Sequence, residues 1–426
     1  MPLFLSILLP ILALLCLWRS HATNRQRRLI GNLPTSKTQG VFIGVVELKG
    51  TAECEAPVTS FLAEQVCVHY GYQITERWER EVEEEYTDSE GHTQRRTRTE
   101  SGWATVASGG ESTPFYLQDD TGVVLIRPDG AEIRPQSLFQ AHVSPADPLY
   151  YGKGPAITVA NSTFQRSFSE QGIPLHHALF VVGKARERED MVAAELSQDQ
   201  SSPLYLLTVE SEDQVLSRMG WKLHFLNILG LIFAGGEGYL FAEVRGALIG
   251  AAIYLFCWFV TWFVLVSNML IDVRNRMRQG WSSLEVQLKR RHDLIPGLVA
   301  VVEGVRQHEA DTQTEVAALR AELAAGHELT PEARHRGVAR SVLTLAERYP
   351  ELKADANFRQ LQTQLIDTEQ RIALARAYFN DITTAYNTRL EIVPDGWIAR
   401  LFGHKAQPLL ATEDFERAEV RVSLAA

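Results

Sequence analysis

The stretch LKRRHDLIPGLV, residues 288–299, places three consecutive cations and a His-Asp pair inside an otherwise apolar helical pattern. Such residues could form a catalytic cluster, a stop at a membrane surface, or a polar contact inside a helical bundle. Arg274, Arg276 and Arg278 already follow the longest charge-free run of the chain, where they provide a membrane stop. The stretch therefore favours an internal polar contact, and a structural role over an active site.

Arg291 is the unusual residue, because it follows Leu288 by three positions, where helical spacing requires an apolar side chain. A buried guanidinium needs a carboxylate partner. Asp293 is two residues further on and faces another side of a helix. We therefore expect an acidic partner from another helix, with Glu369 as the candidate. Together with Arg290 on the helix flank, these residues form the predicted site, a structural polar lock of Arg290, Arg291, Asp293 and Glu369.

Other residue combinations with catalytic potential lack the required pattern. The sequence contains no nucleophile elbow, P-loop, HExxH motif or dinucleotide fingerprint. Glu83 and Glu84 lie in a solvated charged run, which does not provide the environment of a general acid. His176 and His177 are adjacent and cannot share one face of a strand, and no spaced Cys accompanies them. We predict no catalytic residue, no metal site and no cofactor, which favours a non-catalytic protein over an enzyme.

The composition narrows the class of partner. The net charge is −10 and the pI is about 5.7, which argues against nucleic-acid binding. Cys16 and Cys257 lie in apolar runs. Cys54 and Cys67 are a single possible pair, which does not make a disulfide framework. We expect the latter two to be reduced thiols in a cytoplasmic domain.

Helical spacing dominates the C-terminal part and predicts an antiparallel bundle over residues 271–410, followed by a tail over 411–426. Pro296 lies inside the first helix and is expected to kink it without ending it. A further helix should start at Thr330 with Pro331 in its first position, and the PDGW stretch should end the last long helix. The predicted seam residues are Met277, Trp281, Leu284, Leu288, Ile295, Leu298, Val302 and Val305 in the first helix and Phe358, Leu361, Leu365, Thr368, Ile372, Ala375, Phe379, Ile382 and Tyr386 in the last.

Three apolar segments are candidates for membrane spans: residues 1–18, 223–243 and 246–270. Cations follow the first and the third, so both flanks should be cytoplasmic and the N-terminus should lie outside. The charge-free part of the middle segment, 223–236, is short for a bilayer. Two cytoplasmic flanks nevertheless require an even number of crossings between them, which favours a transmembrane hairpin. The alternative is an interfacial or re-entrant segment, with the large domain outside.

Residues 40–215 are predicted to form a β-rich domain. The charged segment after Trp78 should form a long hairpin with an acidic and a basic limb, and a second hairpin should turn at Asp119–Gly122. In VCVHYGYQITERW, alternation places on one strand face Val66, Val68, Tyr70, Tyr72, Ile74 and Trp78.

This region resembles the GIDE domain, also called the beside-a-membrane domain. The phrases that carry the resemblance are GVVELKGTAE, VCVHYGYQITE, GWATVASGGESTPFYLQDDTGVVLIRPDGAEI and GIPLHHALFVVGKARE. Such a domain lies between the two spans of the mitochondrial ubiquitin ligase activator, whose ligase activity comes from a zinc-binding RING. The chain lacks the Cys and His spacing of a RING. A ubiquitin-transferase activity would therefore rest on the GIDE-like domain alone.

The C-terminal part resembles the LemA family through WSSLEVQLKRRHDLIPGLVAVVEGVRQHE, LAERYPELKADANFRQLQTQLIDTEQRIALARAYFNDITTAYNT and IARLFGHKAQP. Gly297 stands where the family usually has Asn, and Phe379 where it usually has Tyr. The resemblance implies a membrane-anchored helical bundle without established catalytic activity. It also implies a link to membrane stress and to membrane metalloproteases of the HtpX type.

Together these features predict a multidomain membrane protein with a β-rich (α+β) domain, transmembrane helices and an all-α bundle. We expect a non-catalytic scaffold or adaptor, multi-pass in a bacterial inner (plasma) membrane, with both soluble domains cytoplasmic. Its expected partners are the lipid bilayer, a membrane metalloprotease of the HtpX type and further copies of itself, and no nucleic acid. The alternatives are an E3 ubiquitin-ligase-like protein and a membrane-remodelling oligomer.

Overall fold

The structure, a computed structural model, describes residues 2–87, 93–188, 193–199, 202, 204–305 and 356–410. The chain divides into two compact units, a helical unit of Met1–Pro34 with Gly220–Ala426 and a β-rich unit of Thr35–Met219. A β-rich part followed by a helical part confirms the coarse fold prediction. The helix predicted from Thr330 and the tail 411–426 lie outside the described residues.

The helix Glu212–Val305 consists of two helices, because Ala242 and Glu243 have non-helical backbone angles. The helices of the described residues are α1 (Pro2–Ile30), α2 (Pro148–Gly152), α3 (residues 212–241), α4 (residues 244–305), α5 (Ala356–Glu391) and α6 (Asp395–Leu401). The strands are β1 (Thr35–Ser36), β2 (Gly44–Glu53), β3 (Val58–Thr59), β4 (Val66–Thr87), β5 (Thr93–Ser112), β6 (Phe115–Gln118), β7 (Val123–Ile126), β8 (Glu132–Arg134), β9 (Gln136–Val143), β10 (Ser162–Pro174), β11 (Ala178–Glu187), β12 (Ala194–Ser197) and β13 (Leu206–Thr208).

Five strands of the β-rich unit pair in a closed ring, in the order β2, β6, β7, β12 and β11, because β2 pairs with both β6 and β11. Closure leaves no open edge within the ring. The pairs are antiparallel except β7–β12, and β1, β13 and β8 extend the sheet. Its core contains, among others, Val46, Leu48, Leu117, Ile126, Val181, Leu196 and Leu207.

The second sheet has the order β3-β4-β10-β9, with β5 also paired to β4. On the predicted inward face of β4, Val68 and Ile74 are buried, as expected. The prediction is wrong for Val66, which is exposed because it begins the strand opposite the two-residue strand β3. The register shifts after Ile74, and the buried residue that follows on the same face is Glu76.

Both predicted hairpins are present. β4 and β5 pair out to Thr87 opposite Thr93, with the ion pair Arg80–Glu100 at 2.8 Å on the charged limbs. In the β6–β7 turn, burial acts to raise the pKa of Asp119, but hydrogen bonds from Thr38 and Thr121 outweigh it and hold that pKa at about 2. This carboxylate therefore fixes the turn in its ionised form.

In the helical unit, α1 runs antiparallel to α3. The hydroxyl of Ser20 donates to Asn227 Oδ1 at 2.6 Å, and Ala13 and Leu17 pack in one cluster with Ala234. α1 is longer than the predicted anchor 1–18, because its helix continues through the basic residues to Ile30.

Small residues allow α3 and α4 to form a close antiparallel hairpin. A Cβ atom at Gly238 would lie 2.0 Å from the carbonyl oxygen of Gly246, and one at Gly250 would lie 2.2 Å from that of Ala234. Only glycine permits these backbone distances. Since α1 and α4 are both antiparallel to α3, they run parallel to each other, and Arg28 Nη1 lies 3.5 Å from Met269 Sδ.

Among the described residues, two helical ranges are long and apolar enough to cross a membrane, Phe4–Ile30 and Glu212–Gly297. The second range contains the α3–α4 hairpin. In the most apolar stretches, only 22% and 17% of the residues are buried inside the protein.

α4 leaves the apolar region without interruption, continues through Pro296 without ending there, and packs antiparallel to α5. The kink expected at Pro296 stays a prediction. Gly280 faces the ring of Tyr378, while Leu284 clusters with Ile372 and Ala375. The predicted seam is therefore correct for α5, except that Leu361 is only partly buried. On α4, Trp281 is partly exposed, and its ring lies 5.5 Å from that of Phe379 on α5. The side chains of the predicted residues Leu298, Val302 and Val305 lie outside the described part of the structure.

Candidate functional site: polar contacts of the helical unit

In the described part of the helical unit, two ionic contacts have a member whose side chain is at most 3% exposed, and the first contains the residues predicted from the sequence. Arg291 is 2% exposed in the seam of α4, and its Nη1 lies 3.5 Å from Oε1 of Glu369 on α5. The Glu369 side chain is 36% exposed. The guanidinium is thus inside the bundle while its carboxylate reaches water.

The other two residues of the predicted lock, Arg290 and Asp293, do not join the Arg291–Glu369 contact. Arg290 is exposed, and its Nη1 lies 3.9 Å from Asp367 Oδ2, the same carboxylate that accepts a hydrogen bond from Arg371 at 2.9 Å. Asp293 is exposed and takes no part in this contact. The structure therefore brings Arg290 and Arg291 to α5, adds Asp367, and leaves Asp293 aside. The locking role remains a prediction.

The second contact centres on Asp395, which sequence reasoning missed. Its side chain is 3% exposed and lies 3.0 Å from Nη1 of Arg28 on α1 and 3.6 Å from Nη1 of Arg389 on α5. Arg389 also donates through Nε to Asn32 at 2.8 Å. Burial lowers the pKa of Arg389, and the charge of Asp395 opposes that effect. One buried carboxylate thereby connects α1, α5 and α6, and we call these four residues the Asp395 node.

Local structure explains how Asp395 reaches this place. A Cβ atom at Gly396 would lie 2.5 Å from the carbonyl oxygen of Leu390, so only glycine allows the chain to turn this tightly against α5. The amide of Gly396 donates to the carbonyl of Ile392 at 2.7 Å. From the sequence, the PDGW stretch predicts only a helix stop. The available signal was a carboxylate placed between the apolar pairs Ile392-Val393 and Trp397-Ile398.

The segment after α6 is held against α5 by two asparagines. Asn387 donates to the carbonyl of Gln407 at 2.8 Å and accepts from its amide at 2.9 Å. Asn380 makes the same two contacts with the backbone of Leu410, at 3.1 and 2.9 Å. These bonds fix α6 and its continuation on the bundle.

The arrangement supports binding and positioning, not bond-making chemistry. The ionic groups of both contacts pair with one another, which leaves no activated nucleophile or general acid among them. Among the described residues, no group of three or more His, Cys, Asp or Glu side chains could hold a metal ion.

Comparison with known proteins finds two families in the chain. A family model described as LemA family matches residues 280–424, and one described as GIDE, E3 Ubiquitin ligase, matches residues 83–240. Among curated proteins, no sequence matches the chain. Both lock arginines and the Asp395 node's α5 and α6 residues lie in the LemA match. The chain therefore combines a GIDE region with a LemA-family region in one polypeptide, as the resemblance predicted.

Proposed function

We propose that the protein is a non-catalytic scaffold anchored by three membrane-spanning helices, α1, α3 and α4. The observation that carries this proposal is their relative direction. α1 and α4 are parallel, and their basic flanks, which contain Arg28 and Arg274, belong to the same end of the helical unit, where Arg28 contacts Met269. α3 runs in the opposite direction between them, as a chain that crosses three times requires.

The surface of these helices supports a lipid environment. Large apolar side chains point outwards along the apolar stretch of each helix, in contrast to the core helices of a soluble protein. The exposed residues include Phe4, Ile7, Ile11, Leu14 and Trp18 on α1, Phe225, Ile228, Ile232 and Phe241 on α3, and Leu248, Ile249, Ile253, Phe256 and Phe259 on α4. The contacts between the helices use small residues, which is typical of packing in membranes.

The orientation follows from the basic end. By the positive-inside rule that end is cytoplasmic, so the N-terminus and the α3–α4 turn lie outside. The β-rich unit is inserted in the chain between Pro34 and Gly220. A Cβ atom at Gly220 would lie 3.7 Å from Nε of Arg27. Both connections are therefore at the basic end, which supports a cytoplasmic location for the GIDE region as well as for the LemA region.

Two cysteine variants test this topology in intact bacterial cells. Val244→Cys lies beside the α3–α4 turn and should react with a membrane-impermeant maleimide from outside. Glu83→Cys lies on the exposed limb of β4 and should react only after the cells are lysed. Rapid labelling of Glu83→Cys in intact cells, or of neither variant before lysis, would overturn the topology.

The scaffold role includes partners in the same membrane. We propose self-association and a membrane metalloprotease of the HtpX type, in a bacterial inner membrane under envelope stress, and no nucleic acid. Purification of the full chain at native expression, in mild detergent, should yield an oligomer or a complex with such a protease. A monomer without any accompanying membrane protein would contradict the scaffold while leaving the membrane anchor untouched.

A ubiquitin-ligase-like function is the second candidate, and the description of the GIDE family model favours it. Ubiquitin transfer by a RING requires zinc-bound Cys and His residues, and the sequence lacks their spacing. A transfer assay with purified full chain, a ubiquitin-charged conjugating enzyme and a zinc measurement decides between the candidates. We expect no transfer and no stoichiometric zinc.

A further inference from the structure

The outward face of α6 is an apolar surface on the LemA region. Trp397, Leu401 and Phe402 are 65%, 71% and 56% exposed, while Ile398 and Ala399 on the opposite face are buried. Helical spacing of i and i+4 places Trp397 and Leu401 on one face, and Phe402 follows directly after the end of α6. Ile392 and Val393, just before α6, extend this surface, which we call the α6 face.

The α6 face meets α4 at a distance from the α3–α4 turn that is close to the thickness of one hydrocarbon core. The ring of Phe402 lies 6.1 Å from that of Phe263 on α4. At 1.5 Å per residue, the stretch from Val244 at the outer turn to Phe263 is about 28 Å long. The hydrocarbon core of a bilayer is about 30 Å thick. The distance from the turn to Phe263 therefore matches one hydrocarbon core, and the uncharged residues 264–271 follow before Asp272.

Neighbouring residues have the composition of a membrane interface at the same level. Trp258 and Trp262 on α4 line a cleft together with Ser20, His21 and Asn24 of α1. Tryptophan beside polar and basic residues is typical of the headgroup region. At the level of Phe263, apolar and polar side chains therefore occur side by side on α1 and α4, as they do on α6.

The α6 face also has cations beside it and a rigid support beneath it. Arg400 and Lys405 are exposed, so they can reach anionic headgroups from the ends of α6. Asp395, at the start of α6, is fixed by Arg28 of α1. The helix is thus held at constant height relative to the first span through its own first residue.

We propose that the α6 face docks into the phospholipid leaflet at the basic end of the helical unit. Trp397, Leu401 and Phe402 enter the boundary between headgroups and acyl chains, and Arg400 and Lys405 bind anionic headgroups. This inference rests on the proposed membrane anchor. It adds a second attachment, through which the LemA region lies against the membrane instead of extending freely from α4.

Spin-label accessibility in nanodiscs of phosphatidylethanolamine and phosphatidylglycerol tests the proposal on the full chain. The four native cysteines are replaced, and a nitroxide is placed in turn at Trp397→Cys, Ile366→Cys and Ile232→Cys. Ile366 is the matched control, since it is an exposed apolar residue on α5, and the 25 positions to Glu391 correspond to about 38 Å of helix. Ile232 is exposed on α3 and reports on the membrane anchor alone.

The label at position 397 should be accessible to oxygen and protected from a water-soluble nickel chelate, like the label at position 232, whereas position 366 should show the reverse. If position 232 shows lipid contact and position 397 behaves like 366, the docking is wrong and the membrane anchor stands. If position 232 also behaves like 366, the anchor itself fails. Shielding of position 397 from both reagents, with dipolar broadening between copies, would assign the α6 face to a second copy and overturn the proposal.

A charge variant separates docking from simple burial of the apolar face. Arg400→Gln combined with Lys405→Gln should reduce the protection of the label at position 397 in nanodiscs with phosphatidylglycerol, and have little effect in nanodiscs of phosphatidylcholine alone. Equal protection of both proteins in both lipids would contradict the role of the two cations.

Discussion

Arg166 in the β-rich unit and Arg291 in the helical unit have the largest side chains among the fully buried residues of the described chain. Both compensate their charge with a carboxylate from a neighbouring element, yet the two sites differ in how completely they enclose the pair. Arg166 pairs with Glu76 at 3.1 Å, and the two side chains are 1% and 0% exposed. The partner of Arg291 is 36% exposed at 3.5 Å.

The surroundings of Arg166 satisfy its guanidinium from several directions. Its Nη1 donates to the carbonyls of Tyr150 and Pro155 at 3.0 and 2.9 Å, and its Nη2 donates to that of Ile157 at 3.1 Å. The plane of the group also stacks 4.0 Å from the centre of the Tyr150 ring. Arg166 is directly opposite Glu76 in the β4–β10 pairing. A closed, fully paired site of this kind fixes two strands and an irregular segment in one arrangement.

Burial of an arginine therefore has different consequences in the two units. At Arg166, either charge alone would be left in a dry interior. At Arg291, water can solvate the carboxylate that loses its partner. The first contact is therefore expected to be essential for folding, and the second to determine how α4 and α5 pair at little cost in stability.

Arg166→Met gives the largest expected effect, because it leaves Glu76 charged and buried. We expect a loss of about 3–5 kcal/mol in the free energy of unfolding of the β-rich unit. Hydrogen exchange of β4 and β10 peptides in increasing urea measures this value in the full chain. The matched control is Arg77→Met on the same strand pair, since the Arg77 side chain is 41% exposed and so reaches water. A loss below about 1 kcal/mol for Arg166→Met would remove the distinction between the two arginines.

Glu47 extends the comparison to a buried carboxylate that lacks an enclosed cation. It accepts from Thr35 at 2.6 Å, while the partly exposed Lys49 is 3.5 Å away and Glu212 is near. Burial raises the pKa of Glu47 to about 7, although the Thr35 hydrogen bond opposes the change. As the pH rises through the acidic range, the unfolded chain releases this proton first, so stability decreases from about pH 4.5 to about pH 7.

Glu47→Gln should therefore stabilise the β-rich unit at pH 8, by up to about 3 kcal/mol, and have almost no effect near pH 4.5. Hydrogen exchange in urea at these two pH values tests whether the stabilisation appears only at the higher pH. Glu79→Gln, at a largely exposed carboxylate, provides the control. Stabilisation that is equal at both pH values would show that Glu47 remains ionised in the folded protein.

The sequence allowed one of the two buried arginines to be found. Arg291 interrupts a helical apolar row, and its partner could be sought at the facing seam of α5. The same signal exists at Glu76, which occupies an inward position between Ile74 and Trp78 in the alternating strand. The partner Arg166 could not be inferred, because its other contacts are carbonyls of an irregular segment whose path depends on tertiary packing.

The apolar helices of the helical unit show the same division. Parity of the basic flanks predicted a hairpin from 223–243 and 246–270, and the structure contains an antiparallel pair that turns at Ala242 and Glu243. The Asp395 node was not predictable from periodicity, because its members come from α1, α5 and α6. The contact from Arg28 to Asp395 joins residues at opposite ends of the chain.

Asp395→Asn tests in the helical unit whether exposure of the partner lowers the cost of breaking a buried ion pair. Asp395 is as enclosed as Glu76, but its two arginines are partly exposed. We expect a loss of about 1–3 kcal/mol, because the amide can accept only part of the hydrogen bonds and carries no charge. Exchange of peptides from α6 and the end of α5 measures the effect. Asp381→Asn is the control on α5, where the carboxylate is exposed. Equal results for the two variants would exclude a special contribution of the node.

Arg291→Met gives the smallest expected effect and tests the comparison most directly, because it is the same substitution as at Arg166. The unbranched apolar side chain can fill the seam between Leu288 and Ile295, and Glu369 is left at a position that water reaches. Removal of the cost of desolvating the guanidinium offsets the lost ion pair, so the unfolding free energy should change by less than about 1 kcal/mol. Exchange of α4 and α5 peptides in urea provides the measurement.

Arg291→Ala is the informative companion variant, since it removes the same charge and also leaves a cavity. It should cost more than Arg291→Met, by about 2 kcal/mol or more, if packing rather than charge determines stability at this position. If both variants are equally destabilised, and by as much as Arg166→Met, the exposed fraction of the partner carboxylate does not control the cost of a buried arginine. In that case the Arg291–Glu369 pair is a folding requirement of the LemA bundle. If only the alanine variant is affected, the arginine at position 291 contributes specificity to the α4–α5 pairing, and its charge is retained for reasons other than stability.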